Sequence, residues 1–204
     1  MPPSYWQKAR AELAASDPVM AMLVARYEGS IRSRGAPFET LLRAIVGQQI
    51  SVKAADAVWG RLQALLGEVL PEHVLAFDPQ ALREAGLSAR KAEYVVDLAL
   101  HWMDGRLAPE TFPDKTDDEI IADLTAVRGI GRWTAEMFLM FNLNRPDVWP
   151  VDDIGIQKAV ALHYFEGVRP TLAALREVGE RWRPWRTVAS WYLWRSLDPD
   201  DIAY

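Results

Sequence analysis

The chain has 204 residues, half of them hydrophobic and nine of them Trp, with no Cys and a formal net charge of −5. The missing cysteine excludes disulfides, thiolate zinc sites and a cysteine-ligated iron–sulfur cluster, so catalysis would fall to carboxylates, hydroxyls, lysines or the three histidines. No apolar run approaches the ~20 residues of a membrane span, and the opening M-P-P-S-Y-W-Q-K-A-R lacks a signal peptide's apolar stretch; a cytoplasmic protein is expected.

Apolar periodicity predicts helices over Ser4 to Ala15 and Pro18 to Tyr27, with Ser4 and Asp17 as N-caps. Ser30 to Ala36 is a basic link. Phe38 to Val46 follows as a core helix, carrying Phe38, Leu41, Leu42 and Ile45 at helical spacing. Gly47-Gln48-Gln49-Ile50-Ser51 interrupts it, and Ser51 caps a long helix to Leu66. Two short helices are expected over Pro71 to Phe77 and Pro79 to Ala85. Ser88 caps a further long one from Ala89 to Met103, whose first turn holds Arg90 and Lys91, either solvated or touching a phosphate. Residues 110 to 123 hold six acids and one Lys, which accounts for the whole net charge.

The stretch from Val127 to Asp153 is the most informative. Gly129-Ile130-Gly131 separates a helix over Thr116 to Ala126 from one that begins near Arg132, with Trp133, Met137, Met140 and Phe141 at i, i+4, i+7 and i+8. Two glycines around an apolar residue permit a tight reversal with positive φ and leave main-chain N–H groups uncovered. Together with the next helix N-terminus they suit a phosphate, or they simply cap a helix. Asp153 lies 22 residues beyond Gly131, after Asn144-Arg145-Pro146-Asp147-Val148-Trp149-Pro150, a segment that cannot continue a helix. A new periodic segment runs from Ile154 to Phe165, so Asp153 sits at the mouth of a helix where it could face whatever the hairpin holds, or else Asp152 or Asp153 is merely the N-cap of that helix. Thr171 to Trp182 and Pro184 to Leu197 close the chain. Pro184 fits N1 of the last helix in a corner where Arg181, Arg183 and Arg186 either stack on Trp or meet DNA.

V-R-G-I-G-R-W-T-A followed by W-P-V-D-D resembles the helix-hairpin-helix DNA glycosylases with a Gly/Pro-rich loop and an essential Asp. Within them the chain is most similar to the DNA-3-methyladenine glycosylase II (AlkA-type) branch. The likeness extends through Gly47 to Ser51, Leu87-Ser88-Ala89-Arg90-Lys91-Ala92 and Arg181-Trp182-Arg183-Pro184-Trp185-Arg186, over about residues 27 to 196. It implies an all-α, two-lobed glycosylase fold of roughly ten helices with the active site in the cleft between lobes. Residues 37–145 would form the central lobe with the hairpin; 1–36 plus 146–204 would form the second, carrying the catalytic Asp. The bacterial prototype's N-terminal β-rich domain would not fit before Phe38 and is expected to be absent.

The resemblance also implies roles. Asp153 matches the essential Asp, which would stabilise a sugar turning cation-like as the extruded base departs. Trp133 occupies the place where related enzymes that also cut the backbone carry a Schiff-base Lys, so no lyase activity is expected. Trp133, Met137, Ile154 and Trp194 match base-pocket positions. Aromatic faces there attract cationic alkylated purines by about 1–2 kcal/mol when desolvated, although Met137 and Ile154 stand where the prototype has Tyr. Gly129, Ile130, Gly131, Arg132 and Thr134 would grip the DNA backbone. Gln49, between Gln48 and Ile50, would be the wedge that fills the gap left by the extruded base, polar where the prototype is apolar. A Na+ or K+ ion could sit on the carbonyls of Thr125, Val127 and Ile130; no other cofactor is expected. The partner would be double-stranded DNA containing alkylated bases, met by a monomer. A non-catalytic helix-hairpin-helix module binding DNA or a repair partner is the second hypothesis, and a helical scaffold unrelated to DNA the third.

Overall fold

The computed structural model describes residues 2–33 and 35–197; the last seven residues of the expected second lobe lie outside these. The described residues form twelve α-helices and one 3-10 helix, and no strand. In order they are α1 (Trp6–Ser16), α2 (Pro18–Arg26), α3 (Pro37–Gly47), α4 (Val52–Leu66), α5 (Pro71–Leu75) and α6 (Pro79–Glu84). Then come α7 (Ala89–Met103), the 3-10 helix (Pro109–Asp114), α8 (Asp117–Thr125), α9 (Arg132–Phe141), α10 (Ile154–Tyr164), α11 (Leu172–Glu180) and α12 (Arg186–Leu197). The all-α expectation holds. Periodicity does not reveal the 3-10 helix, because two turns of three residues holding Pro109 and Pro113 are too short to show a period.

The chain divides into two compact units: Met1–Ser33 with Leu139–Tyr204, and Arg34–Phe138. In the first, α1, α2, α10 and α12 pack together around Trp6, Trp182 and Tyr192, which are fully buried. Rings of ~150–250 Å² at ~25 cal/mol per Å² contribute roughly 4–6 kcal/mol each before ordering entropy is set against them. Asp17 ties this core together. One carboxylate oxygen accepts the Val19 and Met20 N–H groups as the N-cap of α2, and the other accepts Tyr164 Oη–H at 3.0 Å and Trp182 Nε1–H at 3.1 Å. Burial, and then the neighbouring Asp17 charge, pushes the Tyr164 phenol well above its ordinary range.

In the second unit, α3 buries Phe38, Leu41, Leu42, Ile45 and Val46. α7 presents Ala92, Val95, Leu98 and Ala99 inward, and Phe38 meets Trp102 edge-on with centroids 5.2 Å apart. Ser51 and Ser88 cap α4 and α7 as their positions predict. Thr116 and Glu119 form a reciprocal capping box that starts α8.

Two expectations are corrected. Ser4 is not a cap: α1 begins at Trp6 behind Tyr5, which makes no side-chain cap bond. Pro184 is not N1 of the last helix. It follows a cis Arg183–Pro184 bond inside a turn, and α12 begins at Arg186. Two arginines of that corner, Arg183 and Arg186, close it internally. Arg186 donates to both oxygens of Asp147 at 2.7 and 3.1 Å and to its carbonyl at 2.9 Å, while Arg183 reaches Asp147 at 3.0 Å and Glu180 at 2.8 Å.

Candidate functional site

The hairpin after α8 is built by two glycines that serve different ends. The Ile130 N–H donates to Val127 O at 3.1 Å and closes the turn, with Ile130 buried beneath it. Gly129 has φ +88, and a Cβ there would lie 2.5 Å from Tyr94 Cγ, so only glycine fits. Gly131 opens α9, its carbonyl accepting the first helical bond from the Ala135 N–H at 3.0 Å. A Cβ on Gly131 would meet no heavy atom within 4 Å. The fold places no steric demand on Gly131; a bare amide at a helix N-terminus is what an approaching anion requires.

The hairpin is held from below. The Arg128 N–H donates to Asp97 at 2.8 Å and its side chain to Glu93 at 2.7 Å, both on α7. Gln48 Nε2 donates to Gly129 O at 2.8 Å, and Lys91 Nζ donates to Val46 O and Gln48 O, each at 2.7 Å. Burial lowers the Lys91 pKa. Gln49 stands exposed at the tip of this turn with φ +58, beside exposed Ile50. On α9, Arg132 pairs with Glu136 at 3.0 Å, Trp133 is 41% exposed, Thr134 is half-buried, and Met137 is buried one turn on.

Asp153 belongs to the other unit. The loop before it is stapled by residues distant in sequence. Thr187 Oγ1 donates to Arg145 O at 2.6 Å and accepts the Val148 N–H at 3.0 Å. Trp149 Nε1 donates to Leu175 O at 3.0 Å, and its indole lies where a side chain on Gly179 would stand. At the end of this loop Asp153, 6% exposed, is the N-cap of α10. Its Oδ1 accepts the Ile156 N–H at 2.8 Å and Trp194 Nε1–H, also at 2.8 Å. A Cβ on Gly155 would lie 3.0 Å from both Asp153 Oδ1 and Trp194 Cδ1, so glycine leaves room for this pairing. Trp194 is buried and stacks on Phe141 with centroids 5.9 Å apart and planes at 26°. Ile154, at N1 of α10, is 66% exposed.

Thus the structure joins Asp153 to Trp194 in one unit, and Gly129 to Gln48 in the other. The indole bond to Asp153, Lys91 beneath the Gln48 turn, and the Tyr94 and Asp97 supports of the hairpin were not read from sequence. Gly155 offered a signal for the first, since glycine in the first turn of a helix is unfavourable without a packing reason. The described residues hold no group of three or more His, Asp or Glu arranged for a metal ion, and no helix among them is long and apolar enough to cross a membrane.

A helical protein with a glycine hairpin and a capped Asp at a helix mouth matches a known family model. Residues 42–184 match the HhH-GPD superfamily of base excision DNA repair proteins, and the chain belongs to that family. It is similar to the crystal structure of a DNA-3-methyladenine glycosidase from Bacillus halodurans, with TM-score 0.87 and 36% identity over 93% of this chain and 89% of that one. It is also similar to the Schizosaccharomyces pombe 3-methyladenine DNA glycosylase solved in complex with abasic DNA, with TM-score 0.80 and 33% identity over 97% of this chain and 100% of that one. With Escherichia coli DNA-3-methyladenine glycosylase 2 it shares 35% identity over 80% of its own length, and it spans 60% of that relative.

Proposed function

We propose that the protein is a monofunctional DNA glycosylase of base excision repair. It extrudes an alkylated purine, such as 3-methyladenine or 7-methylguanine, and hydrolyses the N-glycosidic bond. The observation that carries this reading is Asp153, a carboxylate fixed by the Ile156 amide and the Trp194 indole at the mouth of α10. As the C1′–N bond breaks, its electron pair leaves with the base, and a cationic alkylated purine departs neutral. The Asp153 carboxylate stabilises the positive sugar until a water oxygen bonds to C1′ and releases its proton. The product is an abasic site in an intact strand, because Trp133 offers no amine to attack the sugar.

The open amide of Gly131, with Gly129, Ile130, Arg132 and Thr134, grips the strand that carries the lesion. Trp133 and Met137 in one unit, and Ile154 and Trp194 in the other, are the residues assigned to contact with the extruded base, and Gln49 enters the vacated stack. The substrate class follows from the alkylation-repair names of the relatives together with the exposed Trp133 face. A Na+ or K+ ion would be held by the carbonyls of Thr125, Val127 and Ile130, backbone oxygens being ligands that hard cations take. The enzyme acts as a monomer inside the cell, where its substrate is.

The likeness to proteins named as 3-methyladenine glycosylases, one of them solved with abasic DNA, weighs against a non-catalytic DNA-binding module. The two readings separate on methylated duplex DNA. A glycosylase forms abasic sites with wild type and loses that activity in Asp153→Asn, whereas a module releases no base and binds damaged and undamaged duplex alike.

A further inference from the structure

The turn between α3 and α4 contains a brace to which the hairpin's grip assigns no role. The final carbonyls of a helix have no partner inside it. At the end of α3 two such oxygens, Val46 O and Gln48 O, are taken by Lys91 Nζ reaching across from α7. A cation there is also favoured by the helix dipole. Gln48 then turns its side-chain amide to Gly129 O. Lys91, Val46, Gln48 and Gly129 are thereby joined through three bonds of 2.7 to 2.8 Å. Gln49 is the next residue, exposed and held at φ +58, a conformation that a non-glycine residue keeps only where its surroundings impose it. On its far side Ser51 starts α4 by capping the Ala54 N–H. Lys91 faces these carbonyls with its ammonium, whereas Arg90 beside it is exposed.

We propose that Lys91 and Gln48 are positioning residues for base extrusion. They hold the Gln49 tip at a fixed spacing from the Gly129–Gly131 turn, so that gripping a phosphate and entering the base stack are performed by one rigid piece. This rests on the glycosylase reading and on Gln49 as the wedge. A wedge that must be ordered during insertion adds that cost to unstacking, and a pre-ordered one does not.

The test compares Lys91→Met, Gln48→Met and Lys91→Arg with wild type, using single-turnover base release from two substrates. One carries 7-methylguanine paired in a duplex, and the other carries it in a single strand, where little extrusion is needed. A 2-aminopurine beside the paired lesion reports unstacking. The brace predicts that both Met variants lose roughly tenfold in rate and in the rate of the fluorescence rise on the paired substrate, and no more than about twofold on the single strand. Lys91→Arg, which keeps donors for both carbonyls, returns the paired rate to within about threefold of wild type. The two Met changes combined cost little more than either alone, as members of one network do. Equal losses on both substrates, or no loss on the paired one, overturn the brace while leaving the glycosylase intact. A wild type that releases base from neither substrate overturns the glycosylase reading, and the brace with it.

Discussion

Alanine substitution at the two hairpin glycines should separate folding from binding. At Gly129 a Cβ would stand 2.5 Å from Tyr94 Cγ with φ at +88. Backbone strain of about 1–3 kcal/mol and a comparable overpacking cost place Gly129→Ala roughly 2–5 kcal/mol below wild type. For a chain of this size that lowers Tm by on the order of 10 °C. At Gly131 the added methyl meets nothing within 4 Å, and φ lies outside the positive range. Gly131→Ala should therefore cost under about 1 kcal/mol, the difference between Gly and Ala at a helix cap, and move Tm by less than about 3 °C. Yet the methyl occupies the space through which a phosphate would reach the amide, so affinity for duplex DNA with an abasic-site analogue should fall at least about tenfold, the loss of one charge-assisted contact. Differential scanning fluorimetry and fluorescence anisotropy at fixed low salt give both numbers. Gly131→Ala with unchanged affinity would refute the role given to that amide; Gly129→Ala melting with wild type would refute the steric account of the turn.

Asp153→Asn keeps an oxygen that can cap α10 and accept the Trp194 indole, so Tm should hold while single-turnover base release falls by about 10² or more. Trp194→Phe removes one donor from Asp153 without emptying the ring's place; stability should drop about 1–2 kcal/mol by thermal melting, with base release slowed. Asp17→Ala leaves buried donors on Tyr164 and Trp182 unpaired and should lower Tm by roughly 10 °C, through at least about 3 kcal/mol. Because the chain is acidic overall and Arg128, Arg183 and Arg186 are engaged within the protein, log affinity against log salt should show a shallow slope near −3, that of about three phosphate contacts.

Much of the fold was legible because helical periodicity and caps are local signals. Asp17, Ser51, Ser88 and Thr116 each announced a helix start that the structure contains. Ser4 and Pro184 misled for the same reason: cap and N1 preferences are local and do not by themselves fix a helix start, and both helices begin two residues further on, at Trp6 and Arg186. In the candidate site, Asp153 as the N-cap of α10 could be read from its place before an apolar period. Its bond to Trp194 could not, since the two are 41 residues apart and no period links them. Lys91 was hidden differently. A Lys in the first turn of an amphipathic helix reads as solvated, and only the end of α3 lying beside it reveals two carbonyls in need of a donor. The arginine-rich corner looked like a basic surface because Asp147, its neutraliser, lies 36 and 39 residues upstream.

The fastening of the Asp153 loop also orders events as the chain is made. The glycine turn and the elements that support it lie between residues 46 and 131, whereas the carboxylate is set by Leu175, Thr187 and Trp194. A nascent or clipped polypeptide ending before the last helix would contain the glycine turn and its supports while lacking the Thr187 hydroxyl that staples the Asp153 loop and the Trp194 indole that bonds its carboxylate.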